Sequence, residues 1–250
     1  MRLGRLLLVV LPALLVGCGG GSEAPVESRP ATPLDLGTTG SIAGVVRFEG
    51  TPPAGSTVRV SSAAECAAQY PSPDVPAGDV LVKDGLVENA FVYVKAGLGD
   101  RIFATPSEPV VIDQKGCLYH PRVAGARVGQ PVRFTNSDPL LHNIHGTPDA
   151  NSGWNFSLGM KGTDRTMRLT KPEVMVAMKC DVHPWMRGYL GVLDHPYFEV
   201  TGPDGRFELR DVPPGEYVVA AWHERFGTRE TRITVAPRQR GEVAFTFTAP

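Results

Sequence analysis

From residue 41 to the end, this chain is a succession of short apolar runs that never lasts long enough for a helix bundle. "SIAGVVRF", "STVRVSS", "NAFVYVKA", "PVVID", "PVRFTN", "RTMRL", "EVMVAM", "YLGVLDH", "RFELRDV", "EYVVAAW", "TRITVA" and "VAFTFTA" are rich in Val and aromatics. Each is bounded by Gly, Pro, Asp or Asn, as strands are. Several alternate apolar with polar residues, the pattern of antiparallel strands with one face buried. Gly 28 and Pro 23 make up about a fifth of the 250 residues, so turns recur too often for long helices. Regular spacing of such runs implies an all-β chain of two β-sandwiches. Only "AAECAAQY", residues 63–70, reads as a short helix, because it is rich in Ala. "PDGR", residues 203–206, is a hairpin turn in which Gly205 supplies a positive φ.

The N-terminus has a different composition. Arg2 and Arg5 precede an apolar run from Leu6 to Val16, which is a secretory signal by pattern and short for a membrane span. "LVGC", Leu15–Cys18, resembles a bacterial lipobox. That resemblance implies a signal peptide over 1–17, a lipid on Cys18, and membrane attachment in the bacterial cell envelope, facing the periplasm or the exterior. Residues 18–40 hold Gly, Ser, Pro and Thr with few apolar residues, and read as a flexible tether. The net charge of −1 and the lack of a basic run give no argument for nucleic-acid binding.

The densest chemistry lies in "MKCDVHPWMRG", residues 178–188, where Cys180, His183 and Met186 are spaced three apart. Composition alone gives about 0.002 expected occurrences of Cys-x-x-His-x-x-Met in a chain of this size. The loop lies between two strand-like runs, so thiolate, imidazole and thioether can approach one ion. A further ligand must come from elsewhere, and "FTNSDPLLHNIHG" offers His142 and His145 at another strand end. Two imidazoles, one thiolate and a weak thioether form the blue-copper donor set; zinc gains little from a thioether. Met186 therefore tilts the choice toward copper, at one type 1 site.

"NSDPLLHNIH" with "CDVHPWMRG" is similar to the cupredoxins, closest to their amicyanin-like members. The resemblance covers about 85 residues, Val110 to Asp194, and includes the turn Val-Gly-Gln-Pro-Val before the strand that leads to the first His. It implies a Greek-key sandwich with His142, Cys180, His183 and Met186 as copper ligands, and His145 as a non-ligand. It implies that Asn143 ties the two ligand loops together near Asp181. It also implies that electrons pass through the edge of His183 at an apolar surface, where Pro139, Leu140, Pro184 and Trp185 would form a patch for a redox partner such as a c-type cytochrome. Met178–Lys179 before the Cys, and Trp185 in the loop, depart from the family pattern and bear on partner surface and potential more than on ligation. His120, His195 and His223 have no partner pattern and read as structural or exposed. With Cys18 assigned to the lipid and Cys180 to metal, Cys66 and Cys117 are left to pair as a disulfide, which an exported compartment permits.

"FEVTGPDGRFELRDVPPGEYVVAAWHE" resembles the carboxypeptidase regulatory-like, or prealbumin-like, module. Its roughly five strands are few for a sandwich. "GSIAGVVRFEGTPP" and "ENAFVYVKAG" look like the missing ones, so the expected organisation is one sandwich from 41–104 with 197–249, and a cupredoxin domain, 105–196, inserted in it. Consecutive domains, 41–195 and 196–250, are the competing arrangement. Copper oxidases and nitrite reductases need a second copper centre built from His pairs, and the six His here include no His-x-His. The expected role is therefore a lipid-anchored carrier of single electrons and not an enzyme. The alternative is an envelope copper-binding or adhesion module.

Overall fold

The computed structural model describes residues 30–249, and the signal segment 1–17 and Cys18 lie outside them. The described chain is nearly all β, with one 3-10 turn, Val60–Ser62, and one α-helix, Ala64–Ala67, shorter than the expected 63–70. Among the described residues no helix is long and apolar enough to cross a membrane. The tether expected over 18–40 is partly structured: the Thr32 amide donates to the Ile102 carbonyl at 2.7 Å, and the strand Gly40–Phe48 begins inside it.

The opening strand Gly40–Phe48 finds its partners far away in sequence. It pairs antiparallel with Arg206–Val212 and parallel with Arg240–Phe247, in register from Ser41↔Arg240 to Phe48↔Phe247. A facing sheet carries Phe198–Val200, Phe91–Ala96, Gly215–His223 and Gly227–Val235. Ile42, Val46, Val92, Val219, Phe245 and Phe247 fill the space between these two sheets and are fully buried. The turn at Gly205 has φ +63°, and a Cβ there would lie 2.7 Å from the Val46 carbonyl oxygen. Glycine meets both demands.

Every strand from Val110 to Leu193 pairs within that stretch. One sheet holds Asp164–Met167, Val132–Asn136, Val110–Lys115 and Leu118–His120. The other holds Trp154–Leu158, His142–Thr147, Glu173–Lys179, Arg187–Leu193 and Val123–Arg127. Two parallel pairings, Val110–Lys115 with Val132–Asn136 and Val123–Arg127 with Arg187–Leu193, knit sequence-distant strands together. Ile112, Phe134, Ile144, Val176, Met178 and Leu190 form the core.

Residues 57–76 join this second core and not the first. Their strands Thr57–Arg59 and Asp74–Pro76 pair only with each other, and Val60, Cys66 and Val75 are buried in the cluster that also contains Cys180 and Met186. A segment this short cannot make a core of its own, so it borrows one.

The two halves meet on a glycine floor. Gly125 and Gly191 are register partners on neighbouring strands, and the absent Cβ atoms leave room for Phe91 and Phe198, whose rings stack with centroids 5.6 Å apart. Beside them Arg122 makes a bidentate pair with Glu224, Nη2 to Oε2 at 2.8 Å, with both side chains largely buried.

Candidate metal centre

Backbone register brings the ligand candidates together. His142–Thr147 runs antiparallel to Glu173–Lys179 with His145 opposite Lys179. Continuing that register sets Asn143 opposite Asp181, so His142 and the residues after Cys180 face each other at one end of the sheet. The loop from Cys180 to Met186 then folds back on itself. The Cys180 amide donates to the Met186 carbonyl at 3.2 Å, and the Met186 amide donates to the His183 carbonyl at 2.9 Å.

His142, Cys180 and His183 are each at most 3% exposed, and one ligand atom of each lies within 4.8 Å of the others. Nδ1 of His142 faces Nδ1 of His183 at 3.0 Å, and His183 Nδ1 is 3.7 Å from Cys180 Sγ. Two backbone amides, of Asn143 at 3.5 Å and His183 at 3.4 Å, point at the sulfur. Burial pushes this thiol up, but the His142 and His183 rings and those amides outweigh it and bring Cys180 down to about 6. The protein thus favours a thiolate between two imidazoles before any ion arrives. Soft sulfur with two nitrogens is a donor set that suits copper. Met186 is fully buried in the same loop.

Sequence reasoning missed Asp138. It is 1% exposed, and its Oδ2 accepts the Nε2–H of His142 at 2.9 Å. Burial pushes the Asp138 carboxyl up, but His142 and the amides of Cys117 and Gly116 hold it below its ordinary value. Burial also lowers His142, and Asp138 with Cys180 raises it overall. A carboxylate on the far nitrogen fixes the tautomer and leaves Nδ1 free for metal. The available signal was an Asp four residues before a candidate ligand His.

Asn143 sits at the centre of a second network. Its Oδ1 accepts from the Asp181 amide at 2.6 Å, and its Nδ2 donates to Asp181 Oδ2 at 3.1 Å and to Asn155 Oδ1 at 2.7 Å. Asp181 also receives Asn155, His145 Nδ1 at 2.9 Å and Lys179. His145 is therefore turned toward Asp181, outside the ligand group.

Cys66 and Cys117 form a disulfide, and their sulfurs lie within 4.8 Å of a ring nitrogen of His183. His183 is only 3% exposed, with Trp185 beside it at a ring-centroid distance of 5.2 Å. Pro139 and Pro184 are exposed, whereas Leu140 and Trp185 are half-buried against the core. The larger exposed apolar side chains next to the candidate ligands are Leu141, 43% exposed, and Val182, 49% exposed. Both immediately precede candidate ligand histidines, which was the signal available for them.

No family model and no curated protein matches the chain. Among solved structures it is similar to a copper-containing nitrite reductase from Thermus scotoductus, at 24% identity over 41% of this chain and a TM-score of 0.31. The chain spans only 26% of that reductase. It is also similar to a mutant amicyanin in its Cu(I) form, at 20% identity over 40% of this chain and 97% of that one, TM-score 0.31. A purple cupredoxin from Nitrosopumilus maritimus aligns at 22% identity over 33% of this chain and 98% of that one, TM-score 0.29.

Proposed function

We propose that this chain is a type 1 copper protein that carries single electrons between redox partners in the bacterial cell envelope, tethered to the membrane by a lipid on Cys18. The observation that carries the proposal is the buried convergence of His142, Cys180 and His183 within 4.8 Å of one another, with Cys180 poised as thiolate. Copper held there, with Met186 as a weak fourth donor, would accept and release one electron. The protein's own contribution is rigidity. Asp138 holds the His142 ring, Asn143 locks the two ligand loops, and the amides of Asn143 and His183 cradle the sulfur. A site that need not rearrange when its charge changes exchanges electrons quickly. Leu141, Val182, Pro139 and Pro184 offer an apolar contact for a transient partner such as a c-type cytochrome. We read the role as carriage: copper oxidases and nitrite reductases use a second copper centre built from His pairs, and the chain's six His include no His-x-His pair.

Titration of the metal-free protein with Cu(II) tests this reading. One equivalent should produce an intense thiolate-to-copper absorption in the visible that vanishes on reduction. A colourless complex, or no stoichiometric uptake, refutes it.

A further inference from the structure

Both ligand loops are bonded to one two-residue turn that belongs to neither. Asp138 Oδ1 accepts the Gly116 amide at 2.8 Å, and its Oδ2 accepts the Cys117 amide at 2.8 Å as well as His142 Nε2–H at 2.9 Å. On the other side, Trp185 Nε1–H donates to the Cys117 carbonyl at 3.1 Å. Gly116 and Cys117 both take left-handed backbone angles, φ +63° and +55°, and their two successive amides meet the one carboxylate. Cys117 is not glycine, and a left-handed conformation costs such a residue roughly 1–2 kcal/mol. It is held by its surroundings, and the strongest of these is the covalent bond to Cys66. Cys66 in turn sits fully buried on the short helix of the 57–76 segment, where Tyr70 Oη–H donates to the Gly116 carbonyl at 2.6 Å.

We propose that the Cys66–Cys117 disulfide is the outer frame of the metal centre: it fixes the Gly116–Cys117 turn, through which Asp138 aims His142 and Trp185 holds the loop of His183. Asp138 is the positioning residue in this chain of contacts. The inference rests on the copper reading for its purpose, but the mechanical link exists without metal. Opening the disulfide takes two electrons and two protons and leaves two thiols, with a small dithiol oxidised to its own disulfide. The turn then loses its covalent hold, and both ligand loops loosen together. The oxidation state of two cysteines outside the donor set thereby governs the donor set.

The test starts with the metal-free, full-length protein. Nitrogen-15 spectra should show His142 with a slowly exchanging Nε2–H. In the Cys66→Ala/Cys117→Ala protein that proton should exchange at least about tenfold faster, and after copper loading the relative intensity of the thiolate bands should change. Asp138→Ala should speed the same exchange with the disulfide intact, and Asp138→Asn, which keeps an acceptor oxygen, should restore most of the protection. A folded disulfide-free protein whose His142 exchange stays within twofold of wild type would overturn the proposal. Should that variant fail to fold, Asp138→Ala and Trp185→Phe decide: unchanged His142 exchange in the first and unchanged His183 ring resonances in the second overturn it equally. Because the exchange and ring-resonance readouts need no copper, a wild-type protein that refused the metal would sink the proposed function and leave this inference standing.

Discussion

Replacing Gly191 with Ala probes the floor on which the two halves of the chain meet. An added Cβ would lie 2.5 Å from Phe91 Cζ, 2.8 Å from its Cε1 and 2.9 Å from Met175 Sδ, all closer than carbon atoms tolerate. Phe91 cannot swing away, since it is fully buried and stacked on Phe198. Nor can the floor sink freely, because Gly191 pairs with Gly125 and its strand lies between Val123–Arg127 and Glu173–Lys179. Overpacking of a closed site costs about 1–3 kcal/mol, and the rigidity on both sides puts this case at about 2–3 kcal/mol. For a chain of this size that corresponds to a fall in Tm of about 4–12 °C. Scanning calorimetry of the metal-free protein reads it directly. Phe91→Leu removes the offending ring edge, so the double variant should be less destabilised than the sum of the two singles by about 1 kcal/mol or more. Gly191 lies five residues beyond Met186 along an extended strand, about 16 Å away, so copper uptake and colour should persist. A Gly191→Ala protein within about 0.5 kcal/mol of wild type, or strict additivity with Phe91→Leu, would refute the packing argument.

Three further outcomes are expected. Asn143→Ala removes the bonds to the Asp181 amide and carboxylate, so it should lower metal-free stability by about 2–3 kcal/mol in urea and shift the optical spectrum of the copper form; an unchanged spectrum and affinity would remove Asn143 from the site. His195 and His223 are lowered by burial to about 4 from an ordinary 6.5, so the unfolded chain binds their protons first. Their contribution is complete above about pH 6.5 and is lost as the pH falls toward 4, at most about 3 kcal/mol each. Urea unfolding at pH 7, 5.5 and 4.5 should show this loss, and His223→Phe, placed in a ring stack with Phe226, should lose less; equal slopes would contradict it. Met186→Leu should leave copper binding intact and raise the reduction potential, measured by voltammetry, whereas an unaltered potential would take Met186 out of the donor set.

Much of this molecule is legible in its sequence, and the exceptions share a cause. Strands announced themselves because alternation and turn residues are local signals, as in "EVMVAM" and "EYVVAAW". The triplet Cys180, His183 and Met186 was equally local. What escaped was set by contacts between distant segments. Asp138 is a plain loop acid until the fold buries it against His142 and the Cys117 turn. Cys66 lies against His183, yet the short strands of residues 57–76 gave no hint that this segment would pack on the other half. The strand Val123–Arg127 is interrupted by Gly125 and depends on its neighbours to become a strand.

The opening strand sets an order of events as the chain leaves the ribosome. Gly40–Phe48 is made early, yet its main partners, Arg206–Val212 and Arg240–Phe247, arrive last. Everything between Val110 and Leu193 can close on itself in the meantime, because all its sheet partners are already present. The candidate metal centre can therefore form ahead of the scaffold that later encloses its termini, and its folding would shorten the loop the outer strands must span. During that interval Gly40–Phe48 has only Leu86–Val87 beside it, and the rest of this apolar strand is open to strands of other chains. Pulse-labelled hydrogen exchange during refolding should show protection in 110–193 before it appears in 40–48.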